Sequence, residues 1–324
     1  MTDRADRQNR PLGGVLPVLS LPLDEEWQID SLALRREIDW LLELGCDGVV
    51  IGMVSEILRL DLAERERFAE LVVSEVGGRG ATVIAVSAES TPGATRLATH
   101  AARIGATAVM ANAPITSLAD PASLESHFVA IAEASGALPV VVQDASGYVG
   151  RPLSMRLMLR LLDEFGPDKA QFKPEAIPLG PRVSELIETS GGRARVFEGS
   201  GGLALVESAR RGAVGTMPGS DVAWAIVAMW RALRAGDLVR ADEVGAGVAA
   251  LLSHVSALDR YIAVEKHLLV EQGVFTSARR FGPGMAGLDP ITKEETVRLM
   301  QRLQRIVGRT DQWKPAADVE GVHR

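Results

Sequence analysis

Ala170-Gln171-Phe172-Lys173-Pro174 closes a unit that begins at the apolar run 139–144 and continues through a helical pattern over 155–165. The stretch 139–142 is apolar throughout, and Ala170 and Phe172 give the second run its apolar residues. Such strands are buried on both faces, as in a parallel sheet covered by its crossover helices. Outward from this unit the same pattern repeats. Candidate strands lie at 14–20, 46–52, 82–87, 108–112, 139–144, 170–173, 195–198 and 213–217. Amphipathic stretches at 32–44, 63–76, 94–104, 124–134 and 155–165 lie between them, several opening near Asp, Ser or Pro and ending in Gly. Eight strand–helix units fit a closed α/β architecture, a (β/α)8 TIM barrel, better than an open doubly wound sheet. The turn Ser20-Leu21-Pro22-Leu23 carries no dinucleotide fingerprint after the first strand.

Past residue 220 the strand signal stops, and 221–235, 238–258, 259–272 and 292–307 read as helices. The expected organisation is a flexible N-terminus over 1–12, a barrel over 13–220, C-terminal helices over 221–307 and a tail over 308–324. A chain of 324 residues with 47% hydrophobic residues can build a core of that size as one unit. A net charge of -7 gives no basic groove for nucleic acid. Cys46 is the single cysteine, which excludes an intrachain disulfide and a cysteine metal cluster. The first ten residues are polar, with no apolar signal region, and no run has the length of a membrane helix. The expected location is the cytoplasm.

In a (β/α)8 barrel, chemistry gathers at the C-terminal ends of the strands. The chain has five lysines against thirty arginines, and Lys173 ends the sixth strand. A desolvated amine can attack a carbonyl, which a guanidinium cannot do. A lysine snorkelling to water from a strand end fits this residue equally well. The other strand ends offer Ser55-Glu56, Gln143-Asp144, Glu175, Met217 and the run Glu198-Gly199-Ser200-Gly201-Gly202. Backbone N–H groups of that glycine run could hold a phosphate or hydroxyl-rich ligand, or the run could be a plain tight turn. Asp144, Glu175 and Glu198 are the carboxylates at the mouth. The five histidines fall in expected helices or in the tail, so no metal site and no cofactor is expected.

Several fragments, in order over 13–305, resemble the dihydrodipicolinate synthase/N-acetylneuraminate lyase superfamily of Schiff-base class I aldolases. They are Leu21-Pro22-Leu23, Gly52-x-x-x-Glu56, Phe172-Lys173-x-Glu175 and Gly212-Ala213-Val214-Gly215. Met53 and Val54 stand where the synthases carry paired threonines, Gln143 where they carry a tyrosine, and Tyr148 where they carry an arginine. Ile115 replaces a tyrosine that relatives share across a dimer contact. These departures argue against the synthase reaction itself. Ser55-Glu56, Val142-Gln143-Asp144-Ala145, Phe172-Lys173-x-Glu175 and the glycine pattern over 212–219 are similar to the L-2-keto-3-deoxyarabonate dehydratases. The segments Asn112-Ala113-Pro114-Ile115 and Ser146-Gly147-Tyr148 differ from that subgroup.

The resemblance implies a lysine, Lys173, that forms an iminium with the C2 ketone of a small 2-keto acid. It implies a proton carried by Ser55 or Tyr148, with Ser55 favoured. Substrate contacts would come from Val54 and Ser55 N–H groups, Gln143, Glu175, the Met217 carbonyl and Gly199. Dehydration of a 2-keto-3-deoxy sugar acid is the expected reaction. The alternatives are a pyruvate-dependent aldolase, including a dihydrodipicolinate synthase-like activity, and a catalytically degenerate keto-acid-binding homologue. A homo-oligomer, dimer or tetramer, is expected, with no nucleic-acid or membrane partner.

Overall fold

Valine-rich runs with no polar face can only persist as strands if both sides are covered, and here they are. A computed structural model describes residues 11–308 apart from 118, 148, 256, 285 and 286. The expected flexible N-terminus, up to residue 10, and the tail from 309 lie outside the described residues, as does Tyr148. The strands are β1 (Gly14–Val15), β2 (Gly48–Ile51), β3 (Ala81–Ala85), β4 (Ala108–Asn112), β5 (Val140–Asp144), β6 (Ala170–Pro174), β7 (Phe197–Glu198) and β8 (Gly215–Thr216). All pair in parallel, as β2-β3-β4-β5-β6 and β1-β8-β7.

Two bridges join these arcs into a closed barrel, Val18 to Val50 and Phe172 to Val196, while a third, Val18 to Gly219, extends the pairing beyond β1 and β8. The first strand is shorter than the expected 14–20 because Pro17 has no N–H to give a ladder. Its carbonyl still accepts from Val50 N–H at 2.8 Å, and Leu19 N–H donates to Val50 at 2.8 Å. Strands seven and eight are likewise shorter than their expected spans, 195–198 and 213–217.

Helices α1 (Ser31–Leu44), α2 (Leu62–Val76), α3 (Thr91–Arg103), α4 (Pro121–Ala134), α5 (Met155–Phe165), α6 (Leu179–Thr189) and α7 (Leu205–Arg210) cover the strands. Their starts are written in the sequence. Asp30, Asp61, Ser90, Asp120 and Ser154 accept hydrogen bonds from first-turn N–H groups, and Asp61 with Glu64 forms a reciprocal capping box.

Four further helices follow: α8 (Ala223–Ala235), α9 (Leu238–Leu252), α10 (Leu258–Glu271) and α11 (Pro290–Val307). The helix expected over 238–258 stops at Leu252, so His254 lies in a turn and not in a helix. Ser253 Oγ donates back to the Ala250 carbonyl there, a side-chain bond that competes with helix propagation. Helix α10 packs against the segment Met53–Ser55 that follows β2, which brings the C-terminal region to the barrel mouth. Among the described residues no helix is long and apolar enough to cross a membrane.

Candidate active site

Alternation along β6 decides which way Lys173 points. Phe172 faces outward into the helix layer, so Lys173 and Glu175, two residues apart, turn the same way. Gln143 of β5 is the register partner of Lys173 and joins them. Lys173 is 4% exposed, and its Nζ lies 2.6 Å from Glu175 Oε1. Gln143 Nε2 donates to both oxygens of Glu175, at 3.0 and 3.1 Å. Burial pushes the Glu175 carboxyl above its ordinary value, while the Lys173 ammonium pulls it back. A buried amine thus has one acceptor beside it, and that acceptor readily takes a proton.

The cavity above this pair holds about 450 Å³ of empty space, solvent at its opening included. Val54, Met217 and Gly199 line it together with Lys173, Glu175 and Gln143. Six of the eight residues singled out from sequence therefore share one cavity. Its remaining walls are largely apolar, from Val18, Met53, Met110 and Leu258.

Gly199 contributes space. A Cβ there would sit 2.6 Å from Glu175 Cγ and 3.1 Å from Lys173 Cε, so a side chain would displace both residues. The glycine run does not form an anion cradle. Ser200 N–H donates to Glu198 Oε1 at 2.7 Å and Gly202 N–H to Glu198 Oε2 at 3.2 Å. The turn already encloses a carboxylate of its own, which Thr216 Oγ1 also contacts at 2.6 Å. Asp144 is likewise occupied locally. It accepts from Ser146 and Leu153 N–H and pairs with Arg182 at 3.2 Å, shaping the loop after β5.

Ser55 does not open onto this cavity. Its hydroxyl is fully buried, donates to the Leu19 carbonyl at 2.5 Å and accepts from Gly52 N–H at 3.1 Å. Its own N–H is donated to the Gly52 carbonyl at 3.0 Å. Glu56 turns the opposite way. It adopts φ 55°, a left-handed conformation disfavoured for non-glycine residues, and pairs with Lys266 of α10 at 2.5 Å. Arg59 and Phe281 N–H complete its coordination at 2.9 and 2.8 Å. Ser55-Glu56 therefore holds the β2 loop to β1 and to α10.

The sequence reading gave α10 no part in the site. Tyr261 and Leu258 from this helix nevertheless line the cavity. Gly219 N–H donates to the Tyr261 hydroxyl at 3.1 Å. The missed signal was a polar stripe, Tyr261 followed one turn later by Glu265 and Lys266, on a helix face that otherwise reads as core. Glu265 Oε1 accepts from Ser220 N–H at 2.7 Å, and Ser220 Oγ also lies 2.7 Å from Glu37 Oε1 of α1. These contacts fix the height of α10 over the barrel.

A closed barrel with an amine and a carboxylate buried at the strand tips has the groups that covalent chemistry on a carbonyl would require. Comparison with known proteins narrows this. The model of the dihydrodipicolinate synthetase family matches residues 11–305, and the chain belongs to that family. It is accordingly a Schiff-base lyase. It is 27% identical over 301 residues to an L-2-keto-3-deoxyarabonate dehydratase of Azospirillum brasilense, covering 91% of this chain and 95% of the relative. It is 32% identical over 237 residues to a 4-hydroxy-tetrahydrodipicolinate synthase of Thermomicrobium roseum, covering 72% and 76%. A prophage protein of Escherichia coli K12 from the same family, solved in complex with pyruvate, shares the fold with a TM-score of 0.84 at 22% identity, over 91% of this chain and 99% of that one.

Proposed function

We propose that this enzyme dehydrates a 2-keto-3-deoxy sugar acid through a Schiff base on Lys173. The observation that carries the proposal is the amine of Lys173, buried at the base of the cavity with Glu175 2.6 Å away. Match to the Azospirillum dehydratase over nearly the full length of both chains supports the substrate class.

The chemistry follows from the pair. Glu175 takes a proton from the ammonium, the neutral amine attacks the C2 ketone, and Glu175 returns that proton to the carbinolamine hydroxyl, which leaves as water to give an iminium and a free carboxylate. The cationic nitrogen acidifies C3–H, and the carboxylate beside it accepts that proton to give an enamine. The enamine electrons expel the C4 hydroxyl, and later hydrolysis returns the amine. Gln143 holds the carboxylate in place through both transfers. This assigns the proton to Glu175 rather than to Ser55, whose hydroxyl is committed to Leu19. Met217, Val54 and Gly199 would shape the space for the substrate chain.

Borohydride reduction in the presence of pyruvate should fix one pyruvate to Lys173, seen by mass spectrometry of the digested protein. Lys173→Ala should take up none, and wild type without an adduct would remove the reading. Product analysis then separates the reactions: a semialdehyde of unchanged carbon number is dehydration, while pyruvate plus an aldehyde is aldol cleavage. Assembly into a dimer or tetramer is part of the same proposal, and sedimentation velocity checks it.

A further inference from the structure

We propose that Tyr261, delivered by the C-terminal helix α10, is a catalytic residue: its phenol donates the proton with which the C4 hydroxyl leaves as water. The proposal rests on the dehydratase reading above and assigns the half of the proton traffic that Glu175 leaves undone.

Two loops locate the hydroxyl. A Cβ on Gly201 would lie 3.3 Å from the Tyr261 oxygen, and one on Gly199 would lie 3.1 Å from Lys173 Cε. Two residues of chain span at most about 7 Å, so the two glycines, with the phenol and the amine they face, border one and the same cavity. In the proposed pose a substrate joined to the lysine at C2 extends along this cavity with C4 toward Tyr261, while Glu175 lies against Nζ. On the far side, Gly219 N–H donates to the phenol oxygen at 3.1 Å, and a Cβ on Gly219 would come within 2.7 Å of it. Both glycines let the strand-end loops close on this one oxygen.

The chemistry matches the position. A phenol ordinarily keeps its proton up to about pH 10, so at neutral pH it is a donor. Hydroxide is a poor leaving group, and a proton delivered as the C–O bond breaks turns it into water. The Gly219 N–H then faces the phenolate that remains, a fixed dipole aimed at charge that develops during the step. The proton count closes. Glu175 gains one from C3, Tyr261 gives one to the departing oxygen, and each exchanges with solvent before the next turnover. Net, the substrate loses one water and nothing is oxidised.

The position of the ring is built in. Glu265 lies one turn further along α10 on the same face, bonded to Ser220, and Lys266 is locked to Glu56. The helix therefore carries its tyrosine to a set height above the lysine.

The test compares full-length wild type and Tyr261→Phe in three assays. The variant should still form the borohydride-trapped pyruvate adduct and still exchange the C3 protons of pyruvate for deuterium at the wild-type rate, because those steps belong to Lys173 and Glu175. With a 2-keto-3-deoxypentonate, kcat should fall about 10²–10⁴-fold, the usual worth of a positioned acid. With the 4-fluoro analogue, whose fluoride needs no proton to leave, variant and wild type should eliminate at matching rates. A variant that keeps wild-type kcat on the hydroxy acid overturns the proposal. So does equal loss on both substrates, or loss of deuterium exchange, since either would mark a purely structural tyrosine. Wild type that forms no adduct, or yields no dehydrated product, sinks the underlying reading first and this proposal with it.

Discussion

Glu175 is held between two opposing influences: burial, which raises its carboxyl above the ordinary 4.5, and the neighbouring ammonium, which lowers it. As a base it must be ionised, so activity is lost as pH falls through its raised value. The acid limb of kcat/KM should accordingly lie above pH 4.5, and Glu175→Gln should remove that limb while lowering kcat about 10²–10⁴-fold. A pH–rate profile of both proteins checks this; a limb at or below the ordinary value would refute it. At this scale the sequence was most readable where residue type was scarce. One lysine at a strand end, in a chain that otherwise uses arginine, pointed to the buried amine that lines the cavity. Ser55 was misleading, because the bond that engages its hydroxyl reaches across to Leu19 in the segment after β1. No local pattern encodes that pairing.

Among elements, most expected helices were legible to within a few residues, the end of α9 excepted, since capping side chains and apolar spacing are local. Strand lengths were less so. Pro17 interrupts the first ladder, and bridges such as Phe172 to Val196 depend on how the barrel closes. The role of α10 was not legible at all. Its contacts join residues 56 and 266, or 220 and 265, and nothing in either segment alone announces the other. Lys266 and Glu56 are both fully buried, so removing one partner leaves an uncompensated charge. Lys266→Met should cost about 3–5 kcal/mol in urea denaturation, well beyond an exposed pair. A loss near zero would mean that Arg59 and the Phe281 N–H suffice to hold Glu56.

Over the whole molecule, the seam between barrel and C-terminal helices is lined by buried acids. Ser220 Oγ sits 2.7 Å from Glu37 Oε1 and 3.1 Å from Glu265 Oε1, which brings two buried carboxyls to one hydroxyl. Burial raises Glu37 to about 8 and Glu265 well above its usual range. Between pH 4.5 and about 8 the unfolded chain has released the Glu37 proton while the folded one keeps it. Stability should therefore fall as pH rises through that window. Glu37→Gln, whose amide oxygen can still accept from Ser20 N–H, should flatten the slope. Urea midpoints measured across the window decide it, and an unchanged slope would place the titration elsewhere. This seam also sets an order of events during synthesis. When the ribosome has released the chain as far as β8, all eight strands and the amine are present, but the roof of the chamber is still unmade. A later stretch of chain supplies it. The nascent barrel thus holds the proposed Schiff-base amine before Leu258 and Tyr261 wall the chamber.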